Sequence, residues 1–172
     1  MVAALLQDDL AEELKEILKE FRLKNPQGQL SEVNIFQQNL PIPESLVRED
    51  IPEEMLENGL AEDITAEDPY PYIVVKIEDG EIKDESSAQT VNTILQIGVF
   101  EDAFKKQGHK DVLNIISDIY ERFAKRPVLN GRYTVQYPIL WTLQEEESYP
   151  YYYGGLYLSW EVAAVRREDK FA

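Results

Sequence analysis

The residue types that carry out most protein chemistry are scarce in this chain. It has one histidine, His109, and no cysteine in 172 residues. That removes thiolate nucleophiles, thiolate zinc sites and disulfides. A general base needs an orienting partner and a reactant cleft. His109 sits instead in the polar run Lys105-Lys106-Gln107-Gly108-His109-Lys110, where it reads as a solvent-exposed residue before a helix. No Gly-x-Ser-x-Gly elbow offers a serine for it to activate, and no glycine-rich phosphate loop occurs.

Carboxylates are plentiful, with 33 acids against 17 bases and a net charge of −16. A calcium loop needs oxygens at alternating positions closed by a glutamate. Neither Glu145-Glu146-Glu147 nor residues 44–68 has that spacing. A pair of glycosidase carboxylates is defined by separation in space, which spacing along the chain does not set. No catalytic constellation, cofactor motif or metal-ligand pattern emerges. The negative charge disfavours direct contact with nucleic acid or anionic lipid. No basic segment followed by an apolar run opens the chain, so no signal peptide is expected. No apolar run is long enough to span a membrane.

The charge is localised. Residues 1–87 hold 22 acids and 7 bases, whereas residues 88–172 hold 11 and 10. Residues 44–68 alone hold ten acids and one base, Arg48. A basic cluster, Lys105, Lys106 and Lys110, stands against this background. It serves solubility at least. The sharper expectation is a counter-charge for an acidic surface on another subunit, in the head-to-tail manner that closes rings. Glu49, Asp50, Glu53, Glu54 and Glu57 are then its natural mates. The aromatic run Tyr149-Pro150-Tyr151-Tyr152-Tyr153 suits a protein interface and a half-buried strand entry equally well. Stacking on bases would need a basic surround, and Glu145–Glu147 precede it.

The elements that must position these residues follow from periodicity. Leu5, Leu6, Leu10, Leu14, Ile17, Leu18 and Phe21 make one helical stripe, with Asp8 and Asp9 early and Arg22 late. Asn25-Pro26 and Gly28 should end that helix. Val33–Phe36 reads as a short strand. Residues 38–69 hold four prolines and an acid-dense stretch, and form a surface excursion rather than an ordinary connection. Tyr72–Ile77 is a strand closed by an Asp79-Gly80 turn. Thr90–Phe100 alternates Val91, Thr93, Leu95, Ile97 and Val99 on one face. A second helix over 110–125 buries Val112, Ile115, Ile116, Ile119 and Phe123, and Pro127 stops it. Tyr133, Val135, Tyr137, Ile139, Trp141 and Leu143 should share one strand face, with Pro138 marking an edge or a bulge. Leu156, Leu158, Trp160, Val162 and Ala164 should share another. The connection between these two strands runs from Gln144 to Gly155. Together these predict a single α+β domain over residues 1–172, a mostly antiparallel sheet with two main helices on one face.

The order of segments carries a further likeness. Val33-Asn34-Ile35-Phe36-Gln37, Leu40-Pro41-Ile42-Pro43 and Tyr70-Pro71-Tyr72-Ile73-Val74-Val75-Lys76 come first. Leu95-Gln96-Ile97-Gly98-Val99-Phe100, then Gly108-His109-Lys110-Asp111-Val112-Leu113-Asn114-Ile115-Ile116, follow. Trp141-Thr142-Leu143, Tyr149-Pro150-Tyr151-Tyr152 and the closing strand Gly155 to Val162 complete the series. In order and spacing this resembles the tail terminator proteins of long-tailed phages and prophages, over most of residues 4–166. The resemblance implies an α+β fold and a hexameric ring at the head-proximal end of the tail. Such a ring stops growth of the tail tube and presents a surface to the neck. It implies no enzymatic activity and no cofactor. The partners it implies are further copies of the chain, the tail tube protein and a neck or head-completion protein. The place is the virion tail, after synthesis in the bacterial cytoplasm. A neck or head-completion role in the same particle is the near alternative. An acidic DNA mimic that blocks a DNA-binding enzyme is the alternative from another class.

Overall fold

A computed structural model describes residues 2–41 and 69–165. Most of the acidic excursion, including Glu49, Asp50, Glu53, Glu54 and Glu57, lies outside the described residues. The elements run α1 (Val2–Ile17), β1 (Leu23–Lys24), β2 (Leu30–Ser31), β3 (Asn34–Gln37), β4 (Tyr72–Glu81) and β5 (Gln89–Phe100). After them come α2 (Gly108–Lys125), β6 (Val128–Leu129), β7 (Tyr133–Leu143) and β8 (Tyr151–Val162). β1 and β2 form a small hairpin, and the other strands form one six-stranded sheet in the order β3-β4-β5-β8-β7-β6. Only β3 and β4 run parallel. The α+β expectation is therefore met.

Both helices lie on one face. α1 covers β3 and β4, and α2 covers β8, β5 and part of β7. Alternation along the strands decides what they cover. Ile73 and Val75 of β4, Leu95, Ile97 and Val99 of β5, and Leu156, Leu158 and Trp160 of β8 are buried beneath them. The α2 stripe expected from spacing, Val112, Ile115, Ile116, Ile119 and Phe123, is buried as a set. Burying each such side chain stabilises by about 1.5–3 kcal/mol. An exposed ion pair such as Glu12–Lys15 contributes at most about 1 kcal/mol, so apolar burial holds the fold. The ion pair best shielded from water joins the helices, Glu13 of α1 to Arg122 of α2.

Four boundaries differ from expectation. α1 begins at Val2 and ends at Ile17, so Asp8 and Asp9 fall beyond its first turn, which holds no acid. Past its far end the Arg22 guanidinium donates to the Lys19 and Phe21 carbonyls at 2.6 and 2.9 Å. Asn25 to Gly28, with Gly28 at φ +82°, turns the β1–β2 hairpin instead of ending the helix. Asp79-Gly80 is not a turn. Glu78 is an extra residue in the β4–β5 ladder, so pairing resumes at Asp79↔Asn92 and continues to Glu81. The true turn follows β4, where the Asp84 carboxylate accepts hydrogen bonds from Ser86 and Ser87 and is held far below the usual carboxylate range by them.

The third and fourth differences concern the last strands. β8 starts at Tyr151, so part of the aromatic run lies inside it, and Ala164 lies past its end. In β7, Gln136 pairs with Ser159 and Leu140 with Tyr157, so Tyr137, Pro138 and Ile139 together face Leu158 alone. This bulge at Pro138 adds an even number of residues, so the expected shared face is kept: Tyr133 and Val135 lie opposite Val162 and Trp160, and Trp141 opposite Leu156, all on the core side. Tyr133 and Val135 are buried, but Tyr137 is 64 % exposed and Trp141 58 % exposed.

One buried polar link ties the two central strands. The Trp160 indole N–H donates to Thr93 Oγ1 at 3.0 Å, and the Thr93 hydroxyl donates to the Leu158 carbonyl at 3.1 Å. Thr93 is fully buried. Thr93→Val keeps the shape and strands the indole N–H, and should cost about 1–3 kcal/mol in urea denaturation. Thr93→Ser keeps the acceptor and should recover the hydrogen-bond part of that loss; equal losses in both variants would refute the link.

Candidate functional site

The two edges of the sheet are built differently, and the difference defines the site. Beyond β3, the outer edge of β4 is plugged by Gln38. This residue takes a left-handed φ of +64°, which turns its side chain back along β4. Its Oε1 accepts from the Ile77 N–H at 3.1 Å, and its amide donates to the Ile77 carbonyl at 3.2 Å. Gln7 of α1 reinforces the plug by donating to Gln38 Oε1 and to the Val75 carbonyl. The bulge at Glu78 and the charges of Glu78, Asp79 and Glu81 blunt the remainder of the edge.

Among the described residues the β7 edge has no such protection past its start. β6 pairs only with Tyr133 and Thr134, and the Val135 N–H is taken by the Pro127 carbonyl at 2.9 Å. From Gln136 to Leu143 no described strand lies outside β7. The Gln144 N–H reaches inward to the Tyr153 carbonyl at 3.0 Å. By strand alternation, Thr142 and Leu140 also direct their backbone polar groups inward, while Trp141 and Leu143 direct theirs outward. Tyr137, Leu140 and Trp141 are exposed on this stretch.

Behind the edge a groove of about 450 Å³ runs between α2 and β7. Leu113, Ile116 and Tyr120 of α2 line one wall, and Tyr137, Ile139 and Trp141 the other. The lining is apolar and open to solvent, the kind of concave surface that takes up a partner's side chains. Proline at 138 was the one legible sign of it. The shared face expected of Tyr137, Ile139 and Trp141 holds, but alternation does not show where helix cover over that face ends.

The residues that sequence pattern singled out gather at one end of the sheet. Lys106 pairs with Glu147 of the β7–β8 connection and lies 5.3 Å from the centre of the Tyr149 ring. Each partner shifts the other through their hydrogen bond, Lys106 upward and Glu147 downward. The Tyr149 hydroxyl donates to the Asp102 carbonyl at 2.7 Å, and Lys24 holds the Asp102 carboxylate at 2.5 Å. Lys105 and Lys110 are exposed. Phe104, between them and the end of β5, is 98 % exposed. Its prominence had no signal in the sequence beyond an aromatic residue in a polar loop.

The tyrosines divide by strand parity. Tyr151 and Tyr153 lie on the helix-free face and cluster with Tyr70, Tyr72 and Phe100, with ring centres 4.8–6.2 Å apart. The Tyr70 and Tyr153 hydroxyls bond to one another, and burial pushes Tyr70 well above its usual range. Tyr152 lies on the helix side over Gly108, where any side chain would run into its ring. Three of the tyrosines thus serve strand packing, and Tyr149 serves the charged corner. His109 is half-buried near Asp111. Among the described residues no group of three or more histidine or acidic side chains could hold a metal ion. No described helix is long and apolar enough to cross a membrane.

A scan of known protein families finds none that matches this chain, and no curated protein matches it.

Asp111 supplies a pH test of this corner. Burial, aided by Glu101, raises its carboxyl above the ordinary aspartate value, with His109 opposing. The folded protein therefore holds this proton more tightly than the unfolded chain does, so the contribution is full below the unfolded value and is lost as pH rises through the folded one. Asp111→Asn should gain stability over the wild type as pH climbs through the carboxylate range to 7, read by urea denaturation at each pH. A difference that shrinks with rising pH would contradict this.

Proposed function

We propose that this chain is a structural virion protein of the tail-terminator kind. It forms a ring that caps the tail tube, stops its growth and joins the tail to the head through a neck or head-completion protein. It acts by binding rather than by catalysis, needs no cofactor, and works at the head-proximal end of a tail assembled in the bacterial cytoplasm. The order and spacing of its segments support this reading, and so does its α+β fold.

One structural observation carries it furthest. The chain exposes an apolar edge and groove along β7 at the side of the sheet and, apart from it, a single fully exposed aromatic ring, Phe104, past the end of β5. A lone soluble domain gains nothing from either. A ring subunit has to touch its neighbours and the tube it caps, and so needs more than one such surface. The basic residues Lys105 and Lys110 beside Phe104 fit an acidic partner surface, and Glu49, Asp50, Glu53, Glu54 and Glu57 of a neighbouring copy fit that role by charge.

An early stop codon in this gene, within the virus that carries it, should give tails of irregular length that fail to join heads, as seen by electron microscopy. Tails of unchanged, uniform length with normal head attachment would end the proposal. Charge reversal of Lys105 and Lys110 to glutamate should weaken ring assembly on tails without unfolding the chain.

A further inference from the structure

The open β7 edge has to be covered by something, because an exposed apolar edge strand is a template for pairing. We infer that in the free protein it is covered by the β7 edge of a second copy, paired antiparallel about a two-fold axis at Trp141. The inference rests on the edge alone and not on the ring reading.

Three observations select this occupant. First, the outward-facing backbone groups are those of Trp141 and Leu143, with Ile139 next in the same alternation. A two-fold axis at Trp141 sets Trp141 against its own copy and Ile139 against Leu143, so every outward group meets another outward group. A shift of one residue would set outward groups against inward ones. Second, the charges match across that axis. Glu145 and Glu146, which follow β7, have no bonded cation among the described residues, whereas Glu147 is taken by Lys106. In this register they fall beside Tyr137 and Gln136 of the other copy and run toward Pro127, which closes the edge at Val135. Arg126 precedes that proline, is exposed, and pairs with no described acid. Third, the competing arrangement is unfavourable. Pairing β7 head-to-tail with the β4 edge of the next copy would meet the Gln38 plug and set Glu145 and Glu146 near Glu78, Asp79 and Glu81.

The same axis brings the two grooves together. Tyr137 and Trp141 of each copy then lie against the α2 wall formed by Leu113 and Tyr120 of both, which removes the largest exposed apolar side chains of the edge from water. The contact is isologous, the same patch on both subunits. A polar ring contains no two-fold axis in its plane, so the pair must part before a ring of the proposed kind closes.

The test uses the full chain, which has no cysteine of its own. Light scattering behind size exclusion should give twice the chain mass at a protein concentration of about 100 µM, and dilution should return the monomer. Trp141→Cys should form an intermolecular disulfide under mild oxidation, since the paired Cα atoms would lie about 5.5 Å apart. Tyr137→Cys, far from its own copy across the axis, should not. Arg126→Glu should weaken the pair at least about tenfold, and adding Glu145→Arg and Glu146→Arg should restore it. A monomer at that concentration overturns the inference, as does a dimer whose Tyr137→Cys form crosslinks while Trp141→Cys does not. These readouts are masses and crosslinks of the purified chain, whereas the ring reading is judged by tail length, so each can fail without the other.

Discussion

The two described helices, each about 10 Å across, are laid on a sheet whose outer strands lie about 24 Å apart at about 4.8 Å per strand gap. That shortfall of cover governs much else in the molecule. α1 takes β3 and β4, α2 takes β5 and β8, and little is left for β7. Trp141 pairs with Leu156 and so lies on the same side of the sheet as the core, yet it is exposed among the described residues, where neither helix reaches it. Leu156, one strand inward, is fully buried. The groove between α2 and β7 is the uncovered remainder of the core, and its apolar lining follows from belonging to that layer.

Within the covered part, two side chains fix how closely the layers approach. Trp160 of β8 stands edge-on to Phe123 of α2, with ring centres 5.1 Å apart and planes at 88°. Its indole N–H is satisfied by Thr93 on the neighbouring strand. A buried tryptophan without that acceptor would carry an unpaid donor in the centre of the core. Threonine rather than valine at 93 is thus a polar requirement inside an otherwise apolar alternation. Nearer the other end of α2, small residues let backbone and ring meet. Gly154 leaves room for Val112, and Gly108 for the Tyr152 ring. On the opposite face Gly98 lies under the Tyr72 ring. The aromatic surface over the glycines replaces the helix cover that this face lacks.

How far sequence pattern reaches follows from the same geometry. The stripe of α2 and the alternation of β5 and β8 were legible because those elements are regular and covered on one side, so burial and periodicity agree. Pattern failed at three kinds of place. At α1, Val2 and Ala3, half-buried against the core in line with Leu6, extend the helix beyond the periodic window. At Asp79-Gly80, a strong turn pair sits inside a ladder, because the bulge at Glu78 takes up the irregularity and the close approach of the Thr90 carbonyl needs a glycine at 80. At β7, Pro138 signalled the bulge and the shared face held across it, because three residues against one partner add an even number, but alternation gave no sign that Tyr137 and Trp141 lie beyond the helix cover. Of the candidate site residues, Lys106 and Tyr149 come together at a charged corner, whereas Tyr151, Tyr152 and Tyr153 turn out to be divided between the two faces of β8. That division is what strand alternation requires of any run of three.

The two sheet edges show that exposure of β7 is not an accident of a small fold. The chain commits a residue in a left-handed conformation, Gln38, and two side-chain amides, those of Gln7 and Gln38, to closing one edge, where the nearest side chains are acidic. Among the described residues it commits nothing comparable to the other edge past Pro138, where the side chains include isoleucine, leucine and tryptophan. The proline itself shows that β7 is limited as well as open, since it removes a donor and interrupts the strand a few residues past Thr134, where pairing with β6 ends. What remains unguarded is a short segment, Ile139 to Leu143, long enough for one specific partner strand and too short for open-ended stacking. An edge trimmed on one side and left bare on a defined length of the other is what a subunit needs if it must pair without polymerising, and the acids that follow β7 keep that pairing from continuing into the next turn of chain.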